Sequence, residues 1–279
     1  MLPVSPLLVD SNSTVDASAA AKCDQTRTAP QLLVSVRDAS EAESIAAMNL
    51  DWLDLKDPDA GPLGRPTLNA VKAFMQVVAN ARQSASGPRH WSIAGGELLD
   101  WKTDEHNAWL HAIGPAGCIK WALAGCAARA DWIAVAERAA QPLPHAAEQA
   151  ILVHYADGWR CQAPDWQSVL HATQQLGWHR VLIDTAIKDG SSLLDHTSLQ
   201  TLESMLAQAN QAKIQVALAG ALRLEMLEPL RMLNPAWLGF RSALCEHRDR
   251  RSTLIPERVL TAQRALQSAA SLASLEESS

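Results

Sequence analysis

Lysine is scarce in this chain of 279 residues, and so are aromatic residues other than tryptophan. Only seven of the 24 basic residues are lysines, and ten Trp stand against two Phe and one Tyr. No apolar run of about 18 residues occurs, which argues against a membrane span. The net charge of -6 provides no basic face for a nucleic acid or an anionic membrane. We therefore expect no nucleic-acid and no membrane partner.

Targeting signals and metal-binding patterns are also missing. The first residues lack the basic segment of a signal peptide and carry Asp10 and Asp16, unlike an Arg-rich transit peptide. The five cysteines are widely spaced without a C-x-x-C, which suits a reducing cytoplasm rather than a disulfide scaffold. The nine histidines form no H-E-x-x-H, and His106 and His111 do not share one helical face. These patterns predict a cytoplasmic protein without a bound metal.

Short apolar runs alternate with helical patterns from about residue 31 to residue 269. Eight strand–helix units in about 240 residues predict one α/β domain, a (β/α)8 or TIM barrel. The alternative is a doubly wound open sheet, which usually has a Gly-rich turn after its first strand, whereas SVRDAS stands here. Residues 1–30 are expected to form a flexible extension and residues 270–279 a frayed C-terminus. The predicted strands are Leu32–Val36, Trp52–Lys56, His90–Gly95, Cys118–Leu123, Ile151–Ala156, Val181–Ala186, Ile214–Gly220 and Trp237–Ala243.

Three of the seven lysines fall at predicted strand ends, where parallel barrels hold their active sites. They are Lys56, Lys120 and Lys188. Lys56 shares strand parity with Asp54, and Lys188 with Asp184 if the extended backbone continues, so each pair is expected to face the barrel mouth. Structural ion pairs that close the barrel are the alternative, and two such pairs with a third lysine favour a functional site.

A lysine amine can lose its proton and attack a carbonyl carbon, whereas a guanidinium stays charged. A second ammonium nearby, or an apolar wall, lowers the amine pKa and frees the nucleophile. Lys56 and Lys120, two strands apart, are candidates for this mutual effect, with Asp54 and Asp184 orienting the lysines or relaying protons. The pattern predicts Schiff-base chemistry on a carbonyl compound without a cofactor.

Six segments of the chain resemble the (5-formylfuran-3-yl)methyl phosphate synthase family. The resemblance spans about residues 31–265, and its most specific parts are D-L-K-x-P-x-x-G-x-L-G and D-T-A-x-K-D-G at the ends of strands two and six. It implies a TIM barrel that condenses two glyceraldehyde 3-phosphates into a furan aldehyde phosphate, the furan precursor of methanofuran or its bacterial counterpart in one-carbon metabolism. The segments are LLVSVRDASEA at 32–42, DWLDLKDPDAGPLG at 51–64, CIKWALAG at 118–125, VLIDTAIKDGSSLLD at 181–195, VALAGAL at 216–222 and GFRSALC at 239–245.

The resemblance also implies a role for each lysine. Lys56 matches the Schiff-base lysine of the family and Lys120 its proton-transferring lysine. Asp54 and Asp184 match the supporting aspartates, and Lys188 matches the third lysine. An imine at Lys56 would acidify the adjacent carbon, from which Lys120 would remove the proton. Aldol addition, loss of water and phosphate, and ring closure would follow.

The chain departs from the family pattern at three positions. Glu97 stands where the family usually has Asp after Gly, Ala221 where it has Ser, and Ser242 where it has Gly. Gly220 and Arg241 match the family pattern and are expected to bind phosphate, because the loops after strands seven and eight commonly do so. Arg250, in CEHRDR, is a further candidate to reach a phosphate, but it is interpreted as part of a solvated basic loop.

Two alternative functions remain at this point. One is another Schiff-base aldolase of phosphorylated sugars, which would use the same lysines. The other is a non-catalytic barrel that binds a phosphometabolite, for which Ala221 and Ser242 are the arguments. In every case the expected partner is a small molecule, glyceraldehyde 3-phosphate by resemblance, and a homo-oligomer is expected.

Overall fold

Eight parallel strands close into a barrel in which each strand pairs with the next and β1 pairs with β8. The computed structural model describes residues 29–83 and 86–276, so most of the predicted extension at 1–30 lies outside the described residues. The fold is the predicted TIM barrel. Its strands are β1 Gln31–Val36, β2 Trp52–Leu55, β3 His90–Glu97, β4 Cys118–Ala122, β5 Ala150–Tyr155, β6 Arg180–Asp184, β7 Gln215–Leu218 and β8 Trp237–Phe240.

Helices follow the strands and cover the outside of the barrel. Local signals fix several of their starts: Asp165 accepts a hydrogen bond from the Ser168 N–H at the start of α6, and Ser198 caps α8 in the same way through Thr201. None of the described helices is both long and apolar enough to cross a membrane. The helices are α1 Ala39–Ile45, α2 Leu68–Gln83, α3 Thr103–Ala112, α4 Trp132–Ala140, α5 Ala146–Gln149, α6 Trp166–Gln175, α7 Leu193–His196, α8 Leu199–Gln211, α9 Leu227–Arg231 and α10 Pro256–Glu276.

Alternate residues of each strand face opposite sides of the barrel wall. One set packs with the helices, and Trp121 belongs to it, in contact with Trp101 and Trp178. The other set fills the interior with side chains such as Leu33, Ile151 and Leu182. Lys120, next to Trp121, is therefore an interior residue, as its strand parity predicts.

Three predicted strands continue two or three residues too far at their carboxyl ends, and three others continue one residue too far. β6 ends at Asp184 instead of Ala186, because the Ala186 and Ile187 N–H groups donate to the Asp157 carboxylate rather than to a neighbouring strand. β7 ends at Leu218, before the positive φ angles of Gly220 and Ala221, and β8 ends at Phe240. Apart from Arg241 the extra residues are small, and most of them are buried in the barrel mouth, so composition does not separate them from strand.

Candidate active site

A cavity of about 300 Å³ opens at the carboxyl ends of the strands. A wider depression lies at the opposite end of the barrel, but catalytic residues of this fold come from the carboxyl end. The smaller cavity brings together all seven residues to which the sequence assigns a role: Lys56, Lys120, Asp54, Asp184, Lys188, Gly220 and Arg241.

Asp54 lies at the centre of one layer of interior side chains. Strand register places Ser35 and Ser92 on either side of it, and their hydroxyl groups donate to its carboxylate at 2.9 and 2.8 Å. The ammonium of Lys120, on β4, donates to the same carboxylate. All four side chains are buried, and those of Asp54, Ser35 and Lys120 line the cavity. The sequence argument pairs Asp54 with Lys56 because they share strand parity. It does not identify the two serines, because a single serine within a predicted strand does not indicate a functional site.

The side-chain amine of Lys56 makes no hydrogen bond or ion pair within the described part of the chain. Burial lowers the pKa of its amine to about 7, against the opposing effect of the Asp184 and Asp54 carboxylates. Lys188 and Arg250 lower this pKa further. The sequence argument assigns this lowering of the Lys56 pKa to Lys120, but in the structure the Lys120 ammonium binds Asp54. The lowered pKa increases the share of uncharged Lys56 amine near neutral pH, and the uncharged amine is the form that acts as a nucleophile.

Lys188 reaches Asp184 from a loop rather than from an extended strand. Its ammonium donates to the Asp184 carboxylate at 2.8 Å and to the Thr185 hydroxyl at 3.1 Å. Burial acts to raise the pKa of Asp184, but Lys188, Lys56 and hydrogen bonds outweigh it and lower this pKa. Asp184 is therefore a carboxylate in the working pH range.

Asp157 shapes the loop that carries Lys188. Its carboxylate is fully buried and accepts from the N–H groups of Ala186 at 2.6 Å and Ile187 at 3.0 Å. Arg160 also lies 3.7 Å from this carboxylate. The two N–H donors are 29 and 30 positions away from Asp157 in the chain and meet it only in the fold.

Two glycines allow the loops around the cavity to approach closely. A Cβ on Gly64 would lie 2.0 Å from the Asp57 carbonyl oxygen, so the turn after β2 accepts only glycine there. Gly220 has a φ of +102° and a Cβ would meet Thr185 at 3.1 Å and the Asp184 carboxylate at 3.4 Å. Gly220 lines the cavity, and its lack of a side chain leaves room for the Asp184 carboxylate.

Arg241 does not offer its guanidinium to a ligand. Its Nη1 and Nη2 bind the buried Glu41 carboxylate, and its remaining N–H groups donate to the carbonyl oxygens of Ser35, Arg250 and Ser252. All five N–H groups are therefore in use. Direct phosphate binding by Arg241 would require it to give up one of these partners, because Glu41, on α1, already neutralises its charge.

Glu97 is held on the β3–β5 side of the barrel mouth. Its carboxylate accepts from the Tyr155 hydroxyl at 3.0 Å and from the Ala124 N–H at 2.8 Å. Burial raises the pKa of Glu97, although both hydrogen bonds oppose that change. The additional methylene relative to the family aspartate is thus accommodated in a bonded position.

No metal-binding cluster of three or more His, Cys, Asp and Glu side chains occurs in residues 29–83 and 86–276. The two carboxylates at the lysines, Asp54 and Asp184, are each bound to an ammonium. The arrangement is suited to imine formation and proton transfer by lysine.

Known proteins resemble this chain over most of its length. A family model described as 4-HFC-P synthase matches residues 32–263. A (5-formylfuran-3-yl)methyl phosphate synthase of Methanococcus maripaludis is 29% identical over 223 residues, 78% of this chain and 91% of that protein. A Methylorubrum extorquens protein that carries the same name provisionally is 33% identical over 239 residues, 85% and 92% of the two chains. Phosphoribosyl anthranilate isomerase of Thermus thermophilus shares only the fold with this chain. Its structure matches with a TM-score of 0.54 and 14% identity, over 86% of this chain and 98% of that chain.

Proposed function

The chain belongs to the 4-HFC-P synthase family of enzymes, and on that premise we propose that it condenses two glyceraldehyde 3-phosphates into (5-formylfuran-3-yl)methyl phosphate. The product would serve the synthesis of a methanofuran-type cofactor. The observation that carries the proposal is the Lys56 amine, unpaired in the described structure and with a pKa of about 7. It lies in a cavity with a second lysine bound to a carboxylate on each side, Lys120 on Asp54 and Lys188 on Asp184.

The first step is attack of the neutral Lys56 amine on the aldehyde carbon of one triose. Water leaves and a protonated imine remains, which withdraws electrons from the adjacent carbon. Removal of a proton from that carbon gives an enamine, and we assign this step to Lys120. The Lys120 ammonium, held by Asp54, first gives a proton to the hydroxyl group that leaves as water during imine formation, and the amine so formed then accepts the proton from the carbon.

The enamine carbon then adds to the aldehyde of the second triose and forms a carbon–carbon bond. Two glyceraldehyde 3-phosphates differ from one product molecule by one orthophosphate and two waters, so eliminations and ring closure complete the balance without an oxidant. Lys188, bound to Asp184, is available to protonate a departing oxygen. Holding both trioses in one cavity supplies the proximity that this condensation requires.

A turnover assay with glyceraldehyde 3-phosphate as the single substrate tests the proposal. We expect an ultraviolet absorption from the furan aldehyde and release of one orthophosphate per furan. Lys56→Met should abolish both signals, while Lys72→Met, at an exposed site on α2, should leave them unchanged. Carbon–carbon bond formation without phosphate release would instead identify another Schiff-base aldolase. No reaction with any triose phosphate would favour a non-catalytic binding barrel.

A further inference from the structure

Three arginines in the loops after β8 line the same cavity, and two of them, Arg241 and Arg250, differ in what their guanidinium groups bind. Arg241 uses all five N–H groups within the protein, as described above. Arg250 does not. Its Nη2 donates to the Gly61 carbonyl oxygen at 2.8 Å and weakly to that of Pro62 at 3.5 Å. Its Nε is buried and has no acceptor among the residues that the structure describes.

An unpaired, buried guanidinium N–H is costly, since a desolvated donor loses its water without replacement. Arg250 is one of the residues that line the cavity containing Lys56. Nε and Nη2 share one edge of the guanidinium, the edge that binds two oxygens of a phosphate side by side. In the structure this edge meets only the two carbonyl oxygens of the turn after β2.

The backbone that carries Arg250 is fixed by Arg241. Nε of Arg241 donates to the Arg250 carbonyl oxygen at 2.9 Å, and Nη2 donates to that of Ser252 at 3.3 Å. Arg241 is in turn held by Glu41, on α1. The family-matched arginine is thus a positioning residue, and the side chain that it positions is Arg250.

The charge of the cavity suits an anionic ligand. Seven of its lining residues are lysine or arginine, and three are aspartate. Burial lowers the pKa of Arg250 while Asp184 opposes that change, which shows that the guanidinium lies within electrostatic reach of the catalytic carboxylate. The interpretation of Arg250 as a residue of a solvated loop is therefore wrong.

We propose that Arg250 is the phosphate-binding side chain of this active site and that its Nε–Nη2 edge takes the phosphate monoester of the triose bound at Lys56. The phosphate gives Nε its missing acceptor and replaces the weak contact of Nη2 with Pro62. The identity of the ligand as a triose phosphate rests on the proposed function. Binding of a phosphate group at Arg250 does not.

Calorimetric titration with inorganic phosphate and with glycerol 3-phosphate tests the binding directly. We expect Arg250→Met to weaken both affinities about 10- to 100-fold, the effect of removing a charge-assisted pair. The matched control is Arg251→Met, because that neighbouring side chain pairs with Asp59 at the surface and is 66% exposed. Affinities within twofold of wild type in Arg250→Met, or no phosphate binding by wild type, would overturn the proposal.

Kinetics separate a binding role from a structural one. With glyceraldehyde 3-phosphate, KM should rise about 10- to 100-fold in Arg250→Met. Imine formation with unphosphorylated glyceraldehyde should stay within twofold of wild type at about pH 9, where the Lys56 amine is mostly uncharged in both proteins although Arg250 lowers its pKa. Equal loss with both aldehydes would show a structural role and overturn the proposal. If Arg250→Met does not fold, Arg250→Lys decides, with an expected loss of phosphate affinity of at least about threefold because lysine lacks the fork. The two proposals can fail separately. If the wild-type enzyme makes no furan but Arg250→Met still loses phosphate affinity, the proposed function is contradicted and the phosphate-binding role of Arg250 is supported.

Discussion

Lys56 differs from the other two lysines of the cavity in having no carboxylate at hydrogen-bonding distance within the described residues. Lys120 and Lys188 are each bound to an aspartate. Burial is the largest influence on the pKa of Lys56 and favours the free amine. Three lysines of one cavity thus have different surroundings, and those of Lys56 suit it to act as a nucleophile.

The pH dependence of imine formation should follow the charges around Lys56. The rate should rise with pH through a pKa of about 7, because only the neutral amine attacks the aldehyde. Lys188 lowers this pKa, so Lys188→Met should shift the rise to higher pH, on the order of one unit. Asp184 raises it, so Asp184→Asn should shift the rise to lower pH. The measurement is kcat/KM against pH with one substrate, so that titration of the substrate cancels between variants.

Shifts of the same sign in Lys188→Met and Asp184→Asn would contradict this account. Lys213→Met is the matched control, since Lys213 lies after α8 and outside the cavity. Its profile should coincide with that of wild type.

The difference between Arg241 and Arg250 shows where sequence reasoning ends at this scale. Both are arginines in the loops after β8, and the family pattern includes Arg241. What separates them is the partner of each: Glu41 is 200 positions away from Arg241 in the chain and meets it only in the closed barrel. Hydrogen-bond saturation depends on such long-range neighbours and is not encoded in the local motif.

At the scale of elements, the loop after β6 depends on a residue at the end of β5. Asp157→Asn keeps the size of the side chain but replaces one acceptor oxygen with an amide donor, which would face an N–H group of Ala186 or Ile187. We expect a loss of about 1–3 kcal/mol in the free energy of unfolding, measured in urea. We also expect a fall in kcat of at least about tenfold, because Lys188 is displaced with the loop.

Ser198→Ala provides a control for stability alone. It removes the cap of α8, which should cost about 1 kcal/mol, and it touches no residue of the cavity. A stability loss in Asp157→Asn with unchanged kcat would show that the loop does not control Lys188.

The sequence predicts where the strands begin more accurately than where they end. All eight predicted strands overlap the observed ones, because hydrophobic periodicity reports burial inside the barrel. The parity of Asp54 and Lys120 follows from the same periodicity. The parity argument fails for Lys188, since the backbone turns away after Asp184, and the turn is caused by Asp157 from another strand.

At the scale of the whole molecule, the cavity concentrates positive charge inside a chain whose net charge is -6. The buried Lys56 ammonium lowers the free energy of unfolding, because removing a charge from water is costly. The cost is expected at the active site, where function rather than stability selects the side chain. The predicted cytoplasmic location and homo-oligomeric state concern the same scale and stay predictions.

Lys56→Met should therefore stabilise the protein while it abolishes turnover. The pKa of Lys56 falls from 10.5 to about 7 on folding, so between these values the unfolded chain holds more protons and stability rises with pH. Below pH 7 the ammonium is buried in its charged form and the cost is greatest. We expect Lys56→Met to gain about 1–3 kcal/mol in the free energy of unfolding at pH 6, and less at pH 9. A variant less stable than wild type at pH 6 would contradict the burial cost assigned to Lys56.

The central claim, that Lys56 forms the Schiff base, is tested most directly by borohydride reduction in the presence of glyceraldehyde 3-phosphate, followed by peptide mass spectrometry. The account predicts one stable adduct, on Lys56, and its disappearance in Lys56→Ala. An adduct located on Lys120 or Lys188 in the wild-type enzyme, or an adduct retained by Lys56→Ala, would contradict it.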